Sequence, residues 1–387
     1  MTNKELAEIL MPGVSSDTEY YEKKYPERNV EKSAIVTRFA PSPTGFVHMG
    51  SLFASFIESK AAKDTNGIFY LRIEDTDQKR KVENGVEGMI EDLKNFNIVP
   101  DEGATSETEE KGEYGPYTQS LRKEIYQTYV KHLLEEGLAY PCFCSQEEIE
   151  ETRQIQEKRK QRIGYYGRFA KCRRLTPEEI VEKVNNGEPY IIRFKSPGSF
   201  DNKIKVNDLV KGTVEFPEND IDDVIMKSDG LPTYHFAHVV DDHLMHTTHV
   251  LRGEDWLSSI PVHVELFNRF GFERPQYAHL GLVMIVDENG TKRKISKRKD
   301  IDFTVVKYAQ KGFPIRAMQE YLMTIANSNY EDYLVQSKNY ELSTFKFNLK
   351  KMSLDGALFD VDKLNFYGKE ILGKMLKEEI FEKENND

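Results

Sequence analysis

Arg38-Phe39-Ala40-Pro41-Ser42-Pro43-Thr44-Gly45-Phe46-Val47-His48-Met49-Gly50-Ser51 is the stretch on which the reading of the fold turns. The β-branched run Ala34 to Phe39 feeds into it, prolines and Gly45 break the run, and Leu52, Phe53, Phe56 and Ile57 follow at helical spacing. The pattern is strand, loop, helix. A helix start offers free backbone N–H groups and the positive end of a dipole, and Gly45 and Gly50 have no Cβ to hold a nucleotide away. The expected ligand is ATP. Far downstream, Lys294-Ile295-Ser296-Lys297-Arg298 places three cations within five residues beside the turn Asp287-Glu288-Asn289-Gly290. Such a loop is suited to neutralising polyphosphate.

The chain of 387 residues exceeds what one hydrophobic core serves, so two or three domains are expected. With 39% hydrophobic and 31% charged residues it has the composition of an ordinary globular protein. No apolar run approaches the length of a membrane span, the N-terminus lacks a signal-peptide pattern, and three cysteines are too few for a disulfide framework. A cytoplasmic monomer without a membrane partner is expected. The net charge of −11 argues against a surface that binds nucleic acid throughout. Local basic tracks remain at Lys158 to Arg162, Arg168 to Arg174 and Lys292 to Lys299.

Residues 1–33 read as an N-terminal extension. From Ala34 to Leu138 strand and helix alternate: Gly67 to Ile73 is a buried-strand run, Val86 to Phe96 and Ile125 to Leu134 are amphipathic helices, and a parallel sheet is implied. Ser145-Gln146-Glu147-Glu148 and Thr176-Pro177-Glu178-Glu179 fit capping boxes, and short strands follow at Tyr190 to Phe194, Gly212 to Phe216 and Val224 to Lys227. We assign α/β architecture: a Rossmann-type parallel-sheet catalytic domain (34–138 and 229–290), an α+β insertion (139–228), and a mostly helical C-terminal part (291–387).

In open α/β sheets, ligands collect at the carboxyl ends of strands. Arg38 and Ser42, Glu74, and Arg252 and Glu254 stand at three such ends and suit a zwitterion, with guanidinium groups for carboxylates and Glu74 for an ammonium. Taken alone, Arg72-Ile73-Glu74-Asp75-Thr76-Asp77 reads equally well as surface ion pairs. In context, Arg38 to Ser51 with His48-Met49-Gly50-Ser51 resembles the nucleotide signature of class I aminoacyl-tRNA synthetases, and Lys294 to Arg298 resembles their second, mobile signature. Arg38 to Gly45, Arg72 to Asp77, Pro232-Thr233-Tyr234-His235, Asp241-Asp242-His243-Leu244-Met245 and Arg252-Gly253-Glu254-Asp255-Trp256-Leu257 resemble the bacterial glutamyl-tRNA synthetase family in particular, over residues 34 to 370.

The resemblance implies a role for each matching residue. His48, Lys294 and Lys297 would be catalytic. Arg38, Ala40, Ser42, Glu74, Tyr234, His238 and Arg252 would hold L-glutamate. Pro41, Thr44, Gly45, His48, Gly50, Ser51, Glu254, Asp255, Trp256, Lys294, Ser296 and Lys297 would engage ATP, which enters with Mg2+. Glutamate would attack the α-phosphorus of ATP, and the terminal adenosine of tRNA(Glu), or alternatively tRNA(Gln), would then take the acyl group. The insertion would bind the acceptor stem and the C-terminal part a stem contact. The family's anticodon-binding region has no counterpart before Asp387, which leaves the choice of tRNA open. A glutamyl-queuosine tRNA(Asp) synthetase and a catalytically silent tRNA-binding paralogue are the alternatives.

Three features compete with this reading. Five of nine histidines, His235, His238, His243, His246 and His249, crowd one stretch and suggest a metallohydrolase. Cys142, Cys144 and Cys172 resemble the zinc knuckle of some relatives, with Arg174 at the expected fourth position and Tyr165 or Tyr166 as substitutes. A knuckle that has lost its metal is the expectation. Lys351-Met352-Ser353 mimics the second signature without its following lysine and is read as structural.

Overall fold

The computed structural model describes residues 1–43, 47–80, 82–287, 289–295, 300, 304–336 and 342–374. Helices α1 (Asn3–Leu10) and α2 (Thr18–Lys24) form the N-terminal extension, each opened by a side-chain cap from Thr2 and Asp17. Strand β1 (Val36–Phe39) leads to α3 (Met49–Asp64), β2 (Ile68–Leu71), α4 (Gly85–Lys94), β3 (Glu102–Ala104) and β4 (Glu110–Lys111). β1, β2 and β3 are parallel, with Val36 opposite Ile68 and Leu71 opposite Gly103, and β4 runs antiparallel at the edge. Gly67 closes the turn into β2 because a Cβ there would stand 2.0 Å from the Ile35 carbonyl oxygen.

Helix α5 (Lys123–Glu135) precedes the insertion, where β5 (Ala139–Cys142), α6 (Gln146–Lys158), α7 (Pro177–Asn185) and β6 (Ile191–Phe194) follow. Both expected capping boxes are present, Ser145 with Glu148 and Thr176 with Glu179, each with its two reciprocal hydrogen bonds. The strands β7 (Lys203–Asp208) and β8 (Gly212–Pro217) make a hairpin, and β9 (Val224–Met226) completes an antiparallel sheet with β5 and β6. The hairpin does not join that sheet. After α8 (Tyr234–Leu244), β10 (His249–Gly253), α9 (Ile260–Phe270) and β11 (Gln276–Leu280), β7 pairs in parallel with β11 through Asp208 and Tyr277. The stretch 203–217, expected with the insertion, is therefore built onto the sheet that carries Arg252.

β10 and β11 are parallel, and Thr248 stitches β10 beside β1: its N–H donates to the Val36 carbonyl at 3.0 Å and its Oγ1 accepts from the Val36 N–H at 2.9 Å. Side chains alternate across this sheet. Val36 and Tyr70 enter a core with α1, α2, α5, α8 and α9, whereas Phe39, Phe69 and Leu71 enter another with α3 and α4. Both faces are covered, as the strand–helix alternation requires.

Beyond β12 (Val283–Val286), β13 (Lys292–Lys294) turns back against it, and α10 (Val305–Gln310), α11 (Ile315–Ala326) and α12 (Asn329–Gln336) follow. Strand β14 (Ala357–Leu358) then pairs in parallel with β12, and α13 (Val361–Lys374) packs on α11. The C-terminal part is mostly helical as expected, but two short strands tie it to the sheet region. Lys351-Met352-Ser353 belongs to this packing: Met352 is buried and bridges Asn327. No helix among the described residues is long and apolar enough to cross a membrane.

Candidate active site

The carboxyl ends of β1, β2 and β10, the first turns of α3 and α8, and β13 surround an open cleft of about 1180 Å³. Arg38, Ala40, Pro41, Ser42, His48, Gly50, Ser51, Glu74, Tyr234, Arg252, Asp255, Trp256 and Lys294 all line it. Thr44, Gly45, Ser296 and Lys297 lie outside the described residues.

His48 is the N-cap of α3. Its Nδ1 accepts from the Ser51 N–H at 3.2 Å, and its Nε2 stands 3.3 Å from Ser51 Oγ. A Cβ on Gly50 would lie 3.1 Å from two atoms of this ring, so glycine is what lets the imidazole fold over the first turn. That turn carries no acidic residue of its own to offset the positive end of the helix dipole.

Arg38 rises from β1, 3% exposed, and its Nε donates to both oxygens of Asp242 at 3.2 and 3.4 Å. The same carboxylate accepts from Arg72 at 2.6 Å, and Arg72 donates to Glu74 at 3.1 Å. Burial alone would raise Asp242, but Arg38 and Arg72 hold it well below the usual carboxylate range. Glu74 shifts the other way, its pKa raised by burial more than Arg72 and Arg38 lower it. An incoming ammonium would favour the ionised form and gain a partner in it. Beneath this layer, Asp241 accepts from Arg122, Gln119 and Tyr126 at 2.7 to 2.8 Å, so the buried cations rest on two adjacent carboxylates of one helix.

Arg252, 6% exposed at the end of β10, has different company: it donates to His279 at 3.0 Å and to Tyr234 Oη at 3.4 Å. The Tyr234 ring lies against Trp256 with centroids 4.4 Å apart, and Trp256 sits at the rim. Lys294 on β13 is paired with Asp255 across the mouth of the cleft.

Two expected site residues are displaced from the cleft. His238 is wholly buried beneath it, its Nε2 3.2 Å from Tyr277 Oη and its Nδ1 3.0 Å from Asp242 Oδ2. Burial pushes its pKa down to about 3, so it acts as a neutral prop. Glu254 turns away to Lys211 at 2.5 Å. Sequence reasoning singled out neither Asp208 and His279, which stand in line behind Arg252, nor Glu58, which is 3% exposed on α3 and lines the cleft, and whose pKa burial raises well above the ordinary value.

The histidine stretch does not converge. His235 meets His263, His243 meets Glu22, His246 meets the Tyr25 carbonyl, and His249 meets Thr248. Among the described residues, the group of histidine, cysteine and acidic side chains that does gather as a metal site would is Cys142, Cys144 and Cys172, with ligand atoms all within 4.8 Å of one another. Tyr165 Oη stands 3.6 Å from Cys142 Sγ and 3.3 Å from Cys144 Sγ, whereas Tyr166 points to the Arg162 carbonyl and Arg174 to the Arg168 carbonyl. The separation of Cys144 and Cys172 sulfurs, 3.6 Å, is close to the edge of a tetrahedron with zinc–sulfur bonds of about 2.3 Å. The donors fit zinc.

The family model for class I tRNA synthetases (E and Q), catalytic domain, matches residues 34–366. The chain is 50% identical over 382 residues to the glutamate–tRNA ligase of Clostridium beijerinckii, covering 99% of this chain and 69% of that relative. It is also 50% identical to the glutamate–tRNA ligase of Acetivibrio thermocellus, covering 99% of this chain and 70% of the relative. A solved glutamate tRNA ligase from Elizabethkingia meningosepticum, in complex with its amino acid, superposes with a TM-score of 0.78 at 32% identity, over 89% of this chain and 71% of that one. With that match across the sheet, the cleft and both signatures, the chain belongs to the class I tRNA synthetases of the glutamate and glutamine family.

Proposed function

We propose that this chain activates L-glutamate with ATP and transfers it to the 3′-terminal adenosine of tRNA(Glu). The observation that carries the reading is the pairing, in one cleft, of a phosphate seat on α3 with two buried guanidinium groups and Glu74. Glutamate would sit between Arg38, Glu74, Tyr234 and Arg252. ATP would lie with its phosphates on His48, Gly50 and Ser51 and with Asp255, Trp256 and Lys294 at the mouth. The α-carboxylate attacks the α-phosphorus, pyrophosphate leaves, and the adenosine hydroxyl then displaces AMP from the acyl-adenylate. Such a reaction asks the protein for alignment and charge neutralisation rather than covalent help. His48, Lys294 and Lys297 supply donors to the phosphate oxygens, and Mg2+ arrives with ATP.

The tRNA partner is supported by a second, smaller cleft in the insertion, about 440 Å³, lined by Gly167, Arg168, Arg173, Arg174 and Lys195. Its cations suit a phosphate backbone. It stands beside the cysteine cluster, where Cys142, Cys144, Cys172 and Tyr165 would hold zinc and so fix the fold of the insertion. The division into an extension, a split catalytic domain, an acceptor-stem insertion and a stem-contact part follows the same reading, with the 203–217 hairpin moved to the catalytic sheet.

The test is aminoacylation of purified tRNA(Glu), tRNA(Gln) and tRNA(Asp) with labelled glutamate. Charging of tRNA(Glu), alone or with tRNA(Gln), is expected. Exclusive charging of tRNA(Asp) would instead establish the queuosine-directed activity, and no charging of any together with no ATP–pyrophosphate exchange would indicate a silent binding protein.

A further inference from the structure

The two guanidinium groups of the cleft are held in opposite ways. Arg38 is ion-paired with Asp242, a carboxylate it shares with Arg72. Arg252 has, among the described residues, no carboxylate oxygen within ion-pairing distance. Its Nε donates to His279 Nε2 at 3.0 Å, and its remaining neighbours are Tyr234 Oη, His263 Nδ1 and the Trp256 carbonyl at 3.4 to 3.5 Å. Every partner is neutral or an acceptor dipole. Because an arginine is always protonated, His279 must offer Nε2 as a lone pair and carry its proton on Nδ1.

The chain supplies the group that fixes this tautomer. His279 Nδ1 lies 2.6 Å from Asp208 Oδ2, and the His279 backbone N–H also donates to Asp208 at 3.1 and 3.2 Å. Asp208 is itself locked at the tip of the β7–β8 hairpin, where its Oδ1 accepts from the N–H groups of Val210 and Lys211 at 3.0 and 2.8 Å. His279 is wholly buried and Asp208 is 6% exposed. Burial holds the His279 imidazole below its ordinary pKa, and these hydrogen bonds hold Asp208 ionised despite burial.

We propose that Asp208 and His279 are positioning residues that present Arg252 to a substrate carboxylate as an uncompensated cation. An acidic residue in the place of His279 would orient the guanidinium equally well but would cancel its charge. A neutral acceptor oriented by a carboxylate one step further away aims it and leaves the charge to the ligand. A glutamate carboxylate gains that charge, whereas the neutral amide of glutamine leaves it unpaired, so the relay also sharpens selection of the acid over the amide. The inference rests on the reading that Arg252 binds glutamate.

The experiment compares Asp208→Asn, His279→Phe and Arg252→Gln in the full chain, by KM for glutamate, KM for ATP and kcat in tRNA-dependent ATP–pyrophosphate exchange. His279→Phe removes the acceptor from a buried charged donor, and a rise of about tenfold or more in glutamate KM is expected, with ATP KM unchanged. Asp208→Asn is expected to give a smaller rise of the same kind, and Arg252→Gln the largest. Unchanged glutamate KM in the first two with loss in the third overturns the relay and leaves the binding reading standing. Unchanged KM in Arg252→Gln overturns both. Nitrogen-15 NMR of the unsubstituted protein tests the relay without any variant: the His279 proton is expected on Nδ1, and a proton on Nε2 overturns the proposal.

Discussion

His48 shows how one side chain is aimed by its neighbour's lack of one. As N-cap it bends its ring back over α3, and Gly50 leaves the space for it. A methyl group at that position, 3.1 Å from two ring atoms, makes the imidazole give way by a few tenths of an ångström, while alanine favours a helix by up to about 1 kcal/mol over glycine. Gly50→Ala is therefore expected to lower kcat about tenfold or more without lowering the melting temperature. Steady-state kinetics beside a thermal melt checks it, and an unchanged kcat would remove His48 orientation as the reason for the glycine. The same logic of neighbours separates the two arginines. Both lie at strand ends and look alike in sequence, yet one is paired with the Asp242 carboxylate and the other with the His279 imidazole.

Between elements, α4 is tied to the start of α3 by Asp92, which is 2% exposed and accepts from the Val47 N–H at 3.1 Å. Burial pushes its pKa up to about 6 from an ordinary 3.8. The folded state thus holds this proton more tightly than the unfolded chain does. The stability it contributes is full below pH 4 and is lost as pH rises through 6, at an eventual cost of about 3 kcal/mol. Asp92→Asn keeps an oxygen for Val47 and removes the ionisation. Denaturant unfolding is expected to find the variant more stable at pH 7 by on the order of 1 to 3 kcal/mol and equal to the parent below pH 4. A parent-like profile at both pH values would show Asp92 to be ionised without penalty. In the insertion, the link between β5 and the 3₁₀ turn at Lys171–Arg174 runs through the cysteine cluster. Protein purified without chelator is expected to carry stoichiometric zinc by elemental analysis, and Cys172→Ser to lose it together with thermal stability. Metal-free protein of unaltered stability would restore the expectation of a knuckle that has lost its ion.

Across the whole molecule, the sheet is sandwiched between two cores, and the N-terminal extension is part of one of them: Ala7, Leu10, Tyr21 and Tyr25 are buried with α5, α8 and α9. Arg28 adds an ion pair to Glu102 at 2.9 Å and a hydrogen bond to the Met245 carbonyl at 2.8 Å. Deletion of residues 1–33 is expected to cost several kcal/mol, read as a lower midpoint of denaturant unfolding, because it strips the apolar cover from α5. An unchanged midpoint would make the extension an independent appendage. The sequence by itself determined the strand and helix that flank the first signature, both capping boxes and the alternation of the first half, and its resemblance to a family named most of the expected residues that line the cleft from Arg38 to Lys294. The first three follow from local rules, in which spacing along the chain fixes geometry within a turn or a strand. Only the tertiary structure decided that the 203–217 hairpin leaves the insertion for the catalytic sheet, that His238 and Glu254 turn from the cleft, that Tyr165 rather than Tyr166 or Arg174 stands against the cysteine cluster, and that Asp208 and His279 stand behind Arg252. In each case the deciding partners are distant in sequence, and strand register and burial, which no local pattern encodes, bring them within a hydrogen bond.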